Sequence, residues 1–446
     1  MKKLNPIPMP FLAAAGLALT FASNGGAAPA KAPEESGATR KAVQAKLTSA
    51  ELMSTAYIAL IRQSIVPIAP RLVAAAALAE IHSLAPGQAT PLPAAFGADT
   101  DVDAAWLADR VRDLPTPWSV VDAMVRAANT AHLALATPQR RQGMGARVGG
   151  HPLSEPGFNI HPLRDGRFVV FDVTQGASAE ASGLRVGDVL VRVDGRPTQR
   201  YDHFLINTLP AGTSVTLDIE RSNRPAVITL RLSEAGLPPV ESRLLEDGIA
   251  YVRIRWFARS DDAERDTAAI ARRAFTELAD QGARGLILDL RSALGGTGEV
   301  NIISALCDGE VVYAFRPSIT DPARPVLRSG TRCWPDQPIA ILMNEHTISA
   351  GEFLALSVRE LTHATIVGQR SGGGLTKISF FPLADGYALA VPTGVVLGPV
   401  TGEVQPHHAI RPDIEVPNPE IADLMNGHDP QLDAARAAVK LKRAAR

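Results

Sequence analysis

Apolar and polar positions divide the chain into three regimes. From Leu47 to about Leu135 apolar residues recur at helical spacing, as in Leu72 to His82 and Ala105 to Val111, and Pro-rich joints break the run into separate helices. From 151 to 237 the spacing changes. Arg167 to Asp172, Asp188 to Val193, Ser214 to Ile219 and Pro225 to Arg231 read as strands separated by turn signals. Beyond Pro238-Pro239 strand and helix alternate, with strands over Ile249–Ile254, Gly285–Leu290, Pro338–Met343 and Ala364–Gly368 and an amphipathic helix over Asp261–Gln281. Almost wholly apolar strands alternating with helices predict a largely parallel sheet covered on both faces. The expected fold class is therefore multidomain α/β. A flexible leader and helical region fill 31–150, a β-rich unit 151–237 and an α/β core 238–420, and 421–446 reads as a C-terminal tail. Within the first region, Pro138 to Gly150 is polar and glycine-rich and reads as a linker or mobile loop.

The 446 residues exceed what one core usually absorbs, which agrees with several units. Hydrophobic residues are 46% and charged residues 20%, the composition of a soluble globular protein, and a net charge of −1 gives no reason to expect nucleic acid as a partner. The first 30 residues have a separate pattern. Lys2 and Lys3, an apolar run from Phe11 to Ala22 and the small residues Ala28-Pro29-Ala30 follow the order of a secretory signal peptide. The run is short for a bilayer span; retention as a short anchor is the alternative. Export to a periplasm or the outside follows, with no stable transmembrane span in the mature chain. In such a compartment Cys307 and Cys333 form either one disulfide or two buried thiols.

Two segments carry candidate chemistry. Asn344-Glu-His-Thr-Ile-Ser-Ala-Gly-Glu352 lies between a strand and a helix, so Ser349 stands at a helix N-terminus, where free amides favour developing negative charge. A serine there is also what a plain helix cap requires. Asp289-Leu-Arg-Ser-Ala-Leu-Gly-Gly296 places two glycines directly after a buried strand, which lets backbone N–H groups approach a ligand; an ordinary glycine turn is the competing reading. Glu345 and His346, adjacent in sequence and so on different faces, read as surface positions.

In their order these segments resemble the S41 family of serine peptidases, the C-terminal processing peptidases and their tricorn-like relatives. The resemblance runs through Gly248–Ile254, Gly285–Arg291 with Gly295-Gly296, Thr347–Glu352, Ala364–Gly368 and Arg411–Val416. The β-rich unit resembles a PDZ domain, most clearly in Gly183-Leu-Arg-Val-Gly-Asp-Val-Leu190. The resemblance implies a ClpP/crotonase-like peptidase core with Ser349 as nucleophile. Oxyanion donors would be the amides of Gly295 or Gly296 and Ala350, and no cofactor or metal is called for. It also implies a polypeptide partner, captured by its C-terminus through the PDZ loop at Gly157, Phe158, Asn159 and Ile160.

The base is where the chain departs from the better known branch. That branch has a lysine after the nucleophile, and its position falls on Gly374; Lys377, three residues on, is a candidate rescue. The tricorn-like branch takes a histidine from the helical region, and Ala128-Asn-Thr-Ala-His-Leu-Ala-Leu-Ala-Thr137 places it at His132, a suitable general base. The orienting glutamate of that branch falls on Pro406, with Glu403 and Gln405 nearby as substitutes, and the serine often preceding the histidine is Ala131. A serine endopeptidase is the expectation. The alternative is a catalytically degenerate PDZ-containing protein that binds polypeptides. An α/β-hydrolase is a second rival that fits poorly, because Thr347 stands where its elbow needs glycine. No His-Glu-x-x-His run supports a metalloenzyme, and His407-His408 reads as a polar loop.

Overall fold

The computed structural model describes residues 48–86, 90–130, 132–198, 205–234, 238–317, 321–405 and 409–444. The proposed signal peptide and leader, together with Ala131, Pro406 and His407-His408, lie outside the described residues.

Four helices, Ser49–Gln63, Pro70–Leu84, Thr100–Arg110 and Trp118–Ala128, form the N-terminal region. Thr48 and Asp99 cap the first and third through side-chain oxygens, which is why the periodic runs begin there. Their apolar faces do not close on themselves alone. The shared core takes in Leu383, Leu389 and Val391 from a later hairpin, so this region is fastened to the rest of the molecule.

The fastening is continued by a short strand, β1 (Ala134–Ala136). A helix, Pro138–Val148, follows where a loop was expected. Thr137 caps it, Pro138 opens it, and Arg147 is buried on its inner face. One of the glycines that suggested a loop has a packing role, since a Cβ at Gly143 would stand 2.3 Å from the Thr208 carbonyl oxygen.

The β-rich unit comprises β2 (Phe158–Pro162), β3 (Phe168–Val173), β4 (Val189–Val193), β5 (Arg196–Pro197), β6 (Ser214–Arg221) and β7 (Arg224–Arg231). The antiparallel order is β2-β3-β4-β6-β7, with β5 paired to β4, which leaves β2 as an edge. Strict alternation in β6, with Val215, Leu217 and Ile219 inward, gives the unit its own core.

The remaining strands form two sheets. The first contains β8 (Val240–Leu244), β9 (Ala250–Ile254), β10 (Leu286–Asp289), β13 (Ile339–Met343), β14 (Thr365–Gly368) and β17 (Ile414–Glu415), in the order β17-β14-β13-β10-β9-β8. All of its pairings are parallel except that of β8 with β9. Helices Thr267–Asp280, Glu299–Leu306 and Ala350–Thr362 cover one face. The other face is covered by a helix, Pro430–Ala444, in the segment expected to be a tail. Ala435, Ala438 and Val439 are the buried stripe of that helix, hidden in sequence among basic residues that point outward. The second sheet pairs β16 (Ala388–Leu397) with β15 (Thr376–Pro382) on one edge and with β1 and β11 (Val311–Arg316) on the other; β12 (Arg324–Leu327) follows β11. Among the described residues no helix is long and apolar enough to cross a membrane.

Of the two alternatives for the cysteines the structure has free thiols, Cys307 buried and Cys333 partly so. Burial pushes the Cys307 thiol up to about 12, and Cys333 donates to the Arg272 carbonyl at 3.8 Å. Glu345 and His346 are corrected: both are buried, because the 344–347 turn folds inward and Asn418 donates to both Glu345 carboxylate oxygens.

The β-rich unit meets the core through a bidentate pair, buried Arg253 to partly buried Asp172, with both bonds at 2.9 Å. Burial alone would raise the Asp172 carboxyl, but the Arg253 guanidinium outweighs it and holds the pKa below its ordinary value. Removing one partner of such a pair leaves an uncompensated charge. Arg253→Met is therefore expected to cost about 3–5 kcal/mol of stability. Urea unfolding checks this, and an unchanged midpoint would show the pair to be energetically idle.

Candidate active site

Ser349 caps the Ala350–Thr362 helix with backbone angles of φ 55° and ψ −121°. A capping serine adopts extended angles, so this conformation is not what a cap requires; it is the kind of backbone strain that clusters at functional turns. Hydrogen bonds hold it. The Thr347 hydroxyl donates to the Leu290 carbonyl at 2.8 Å, and the Ile348 amide donates to the Ala293 carbonyl at 3.1 Å. Asn344 Oδ1 accepts the Ser292 amide at 2.9 Å. The serine turn and the glycine loop are thereby tied into one body.

Gly295 is required for that approach, and Gly296 for the packing of the same loop against Phe257. A Cβ at Gly295 would lie 2.7 Å from the Ser349 Cβ, and one at Gly296 would lie 1.9 Å from the Phe257 carbonyl oxygen. Both have positive φ, 75° and 133°. Among the described residues neither glycine amide donates to a protein acceptor. Ala350 opens its helix, so its amide has no intrahelical acceptor. Of the three expected oxyanion donors, Gly295 stands against the serine and Ala350 directly follows it, while Gly296 packs against Phe257.

Glu352, three residues after the serine, was not singled out from sequence. Its buried carboxylate accepts the Ser349 amide at 2.9 Å, the Gly373 amide at 3.0 Å, the Gly374 amide at 2.7 Å and the Ser371 hydroxyl at 2.5 Å. Burial pushes its pKa up to about 7, against the pull of Ser371 and the three amides. The Ser-x-x-Glu spacing is a capping-box signal and could have pointed to it.

His132 arrives from the N-terminal region, held in place as β1 pairs with β16. Its Nδ1 faces the Thr376 hydroxyl at 2.9 Å and the Thr376 carbonyl at 3.1 Å. Bonding to that carbonyl fixes Nδ1 as the protonated nitrogen and leaves Nε2 as the acceptor. Burial lowers the ring pKa to about 4, opposed by the Thr376 carbonyl, so the ring is neutral at pH 7. Its Nε2 would stand 2.8 Å from a Cβ placed on Gly374, and Glu352 Oε2 would stand 2.9 Å from the same point. Histidine and glutamate fill the space a side chain at position 374 would need.

The other candidates lie elsewhere. Lys377 is on the strand face opposite Thr376, with its amine 4.0 Å over the Phe315 ring. Glu403 is exposed, and neither it nor Gln405 is a partner of His132. Glu360 holds the loop before them by accepting the Val400 and Thr401 amides. Thr376, a neutral group that sequence reading did not single out, meets the histidine instead. In the β-rich unit, Phe158 and Ile160 turn their side chains into its core, Asn159 donates to Asp172 at 3.1 Å, and Gly157 takes φ +72° against Ala177.

Residues 248–416 match the model of peptidase family S41, and residues 169–221 match that of a PDZ domain. The α/β core thus carries the S41 peptidase match and the β-rich unit the PDZ match. Its relatives include the carboxyl-terminal-processing protease of Synechocystis, 28% identical over 332 residues that cover 70% of this chain and 71% of that one. The chloroplastic C-terminal processing peptidase of Tetradesmus obliquus is 29% identical, over 57% of each chain. Among solved structures, the photosystem II D1 C-terminal processing protease shares the fold with a TM-score of 0.51 at 22% identity, over 78% of this chain and 93% of that one. Mature CPAF complexed with lactacystin gives 0.50 at 14% identity, over 83% and 98%.

Gly374→Ala tests the crowding directly. A methyl at that point must move His132 or Glu352, so turnover is expected to fall at least about tenfold, a misplacement effect, while the thermal midpoint changes little. Turnover equal to wild type would show that the ring is not needed where it stands.

Proposed function

We propose that the chain is an exported serine endopeptidase that cleaves polypeptides, near their C-termini where these are presented by the PDZ domain. Ser349 is the nucleophile and His132 the base. Neutral His132 takes the Ser349 hydroxyl proton at Nε2 as Oγ attacks the scissile carbonyl. The amides of Ala350 and of Gly295 or Gly296 receive the oxyanion. The imidazolium returns its proton to the leaving amine, and water, deprotonated by the same ring, then hydrolyses the acyl-enzyme. Thr376 keeps the proton on Nδ1, the task a carboxylate performs in the familiar triad. Export is supported by Lys2-Lys3, the apolar run Phe11–Ala22 and Ala28-Pro29-Ala30.

One observation supports this above the others: a neutral histidine with an oriented ring stands in the space that the usual lysine position has vacated, beside the carboxylate that holds the serine amide. The second reading, a polypeptide-binding scaffold without turnover, is favoured by the neutral partner of His132, since Thr376 cannot stabilise an imidazolium as a carboxylate does.

Degradation of an unfolded polypeptide decides between them. Ser349→Ala is expected to lower the rate by about 10³-fold or more, as loss of a nucleophile does. Cleavage by neither protein would establish the scaffold. His132→Ala is expected to abolish turnover with an unchanged circular dichroism spectrum; unaltered rates would remove it as base.

A further inference from the structure

Between the PDZ domain and the core lies a narrow cleft whose walls include Arg147, Glu155, Gly157, Arg255, Ser292 and Leu294. The space left in it is about 20 Å³, room for roughly one water. Gly157 precedes β2, the edge strand of the PDZ sheet. A peptide adding antiparallel to that edge would bring its C-terminal carboxylate to the Gly157 end.

That place already holds a carboxylate. Glu155 is 6% exposed, and its Oε1 accepts the Gly157 amide at 3.2 Å. Its Oε2 is buried and accepts no hydrogen bond. Arg147 is also buried, donating to Asn207 at 2.6 Å and lying 4.7 Å over the Trp256 ring; its Nε has no partner, and it forms no ion pair within 4 Å among the described residues. Glu155 is therefore half satisfied and faces a half-satisfied arginine. A buried site built for a foreign carboxylate would leave a cation and an amide unpaired when empty, which is costly. A resident carboxylate offsets that cost and closes the space.

We propose that Glu155 is an internal competitor that occupies the carboxylate seat of the PDZ domain. A polypeptide C-terminus then binds by displacing it, taking the Gly157 amide and facing Arg147. This rests on the reading that the domain captures polypeptide C-termini. The ligand it defines is a free α-carboxylate, and Glu155 sets the affinity threshold that such an end must exceed.

The experiment uses the full chain with Ser349→Ala, to prevent cleavage, and a labelled ten-residue peptide ending in an apolar residue. The peptide is made both as the free acid and as the C-terminal amide, and binding is read by fluorescence anisotropy. Adding Glu155→Ala is expected to tighten the free acid about tenfold, ~1.4 kcal/mol, and to leave the amide unchanged. E155Q keeps the shape and an acceptor but drops the charge, so it should tighten the acid by a smaller factor; it decides alone if the alanine variant does not fold. An acid preference with affinity equal or weaker in the variants overturns the competitor role while leaving C-terminal capture intact. Absence of an acid preference in every chain overturns both, and leaves the peptidase reading to the Ser349→Ala degradation assay.

Discussion

A carboxylate sealed from water must have its oxygens filled by donors, and those donors are then fixed in space. Glu352 is such a group. Its four bonds join the serine turn, through the Ser349 amide, to the 371–374 loop, through Ser371, Gly373 and Gly374. Ser371 in turn accepts the Ile410 amide at 2.8 Å, which draws in the segment that leads to β17. The 371–374 loop runs directly into β15, whose first residue, Thr376, holds the histidine. One buried side chain thus fixes the Ser349 turn relative to the strand that holds His132. A raised pKa is the expected consequence of this placement, since burial opposes ionisation and the donors only partly compensate.

The proposed use of histidine in place of lysine as the base follows from the same geometry. A lysine base must be desolvated to lose its proton, whereas a buried histidine is neutral without further help. What histidine requires is a fixed ring, and here a carbonyl and a hydroxyl supply that without a second charge. Gly374 completes the exchange, because any larger residue would stand within 3 Å of both His132 and Glu352. The helical N-terminal region becomes a structural part of the site, since its core is shared with β15 and β16 and its last turn carries the ring.

The strands of the core were legible because they are buried on both faces and need no partner pattern to be recognised. Ile339 to Met343 is an unbroken apolar run, fully buried as such a run implies. The Ser349 turn and the glycine loop were legible because a strand-to-helix turn and a glycine pair are features of local sequence. Thr376 was not, because a threonine at a strand start has no sequence signature, and its meeting with a residue 244 positions away depends on how β1, β15 and β16 pair. The final helix was masked by its basic outer face, and the burial of Glu345 depends on Asn418, a partner 73 residues distant. Local rules recover elements and turns; contacts made by chain crossings are beyond them.

The same limit applies to the junction between PDZ domain and core. Asp172, at the end of β3, is neutralised by Arg253 of β9. In β10 the residue opposite Arg253 is Asp289, which accepts from Tyr251 at 2.7 Å and pairs with Arg291. Arg291 goes on to Asp429 at 2.8 Å, ahead of the closing helix. Two pairs in this series cross between segments, Asp172 with Arg253 and Arg291 with Asp429, so moving the PDZ unit or the closing helix by itself leaves a charge uncompensated. Hydrophobic contact alone would let the domain slide, because apolar burial is non-directional. Paired charges with fixed geometry do not, and Arg291 leads directly into the loop that ends at Gly295 and Gly296. The docked position of the PDZ domain and the conformation of the glycine loop therefore depend on one set of buried bonds.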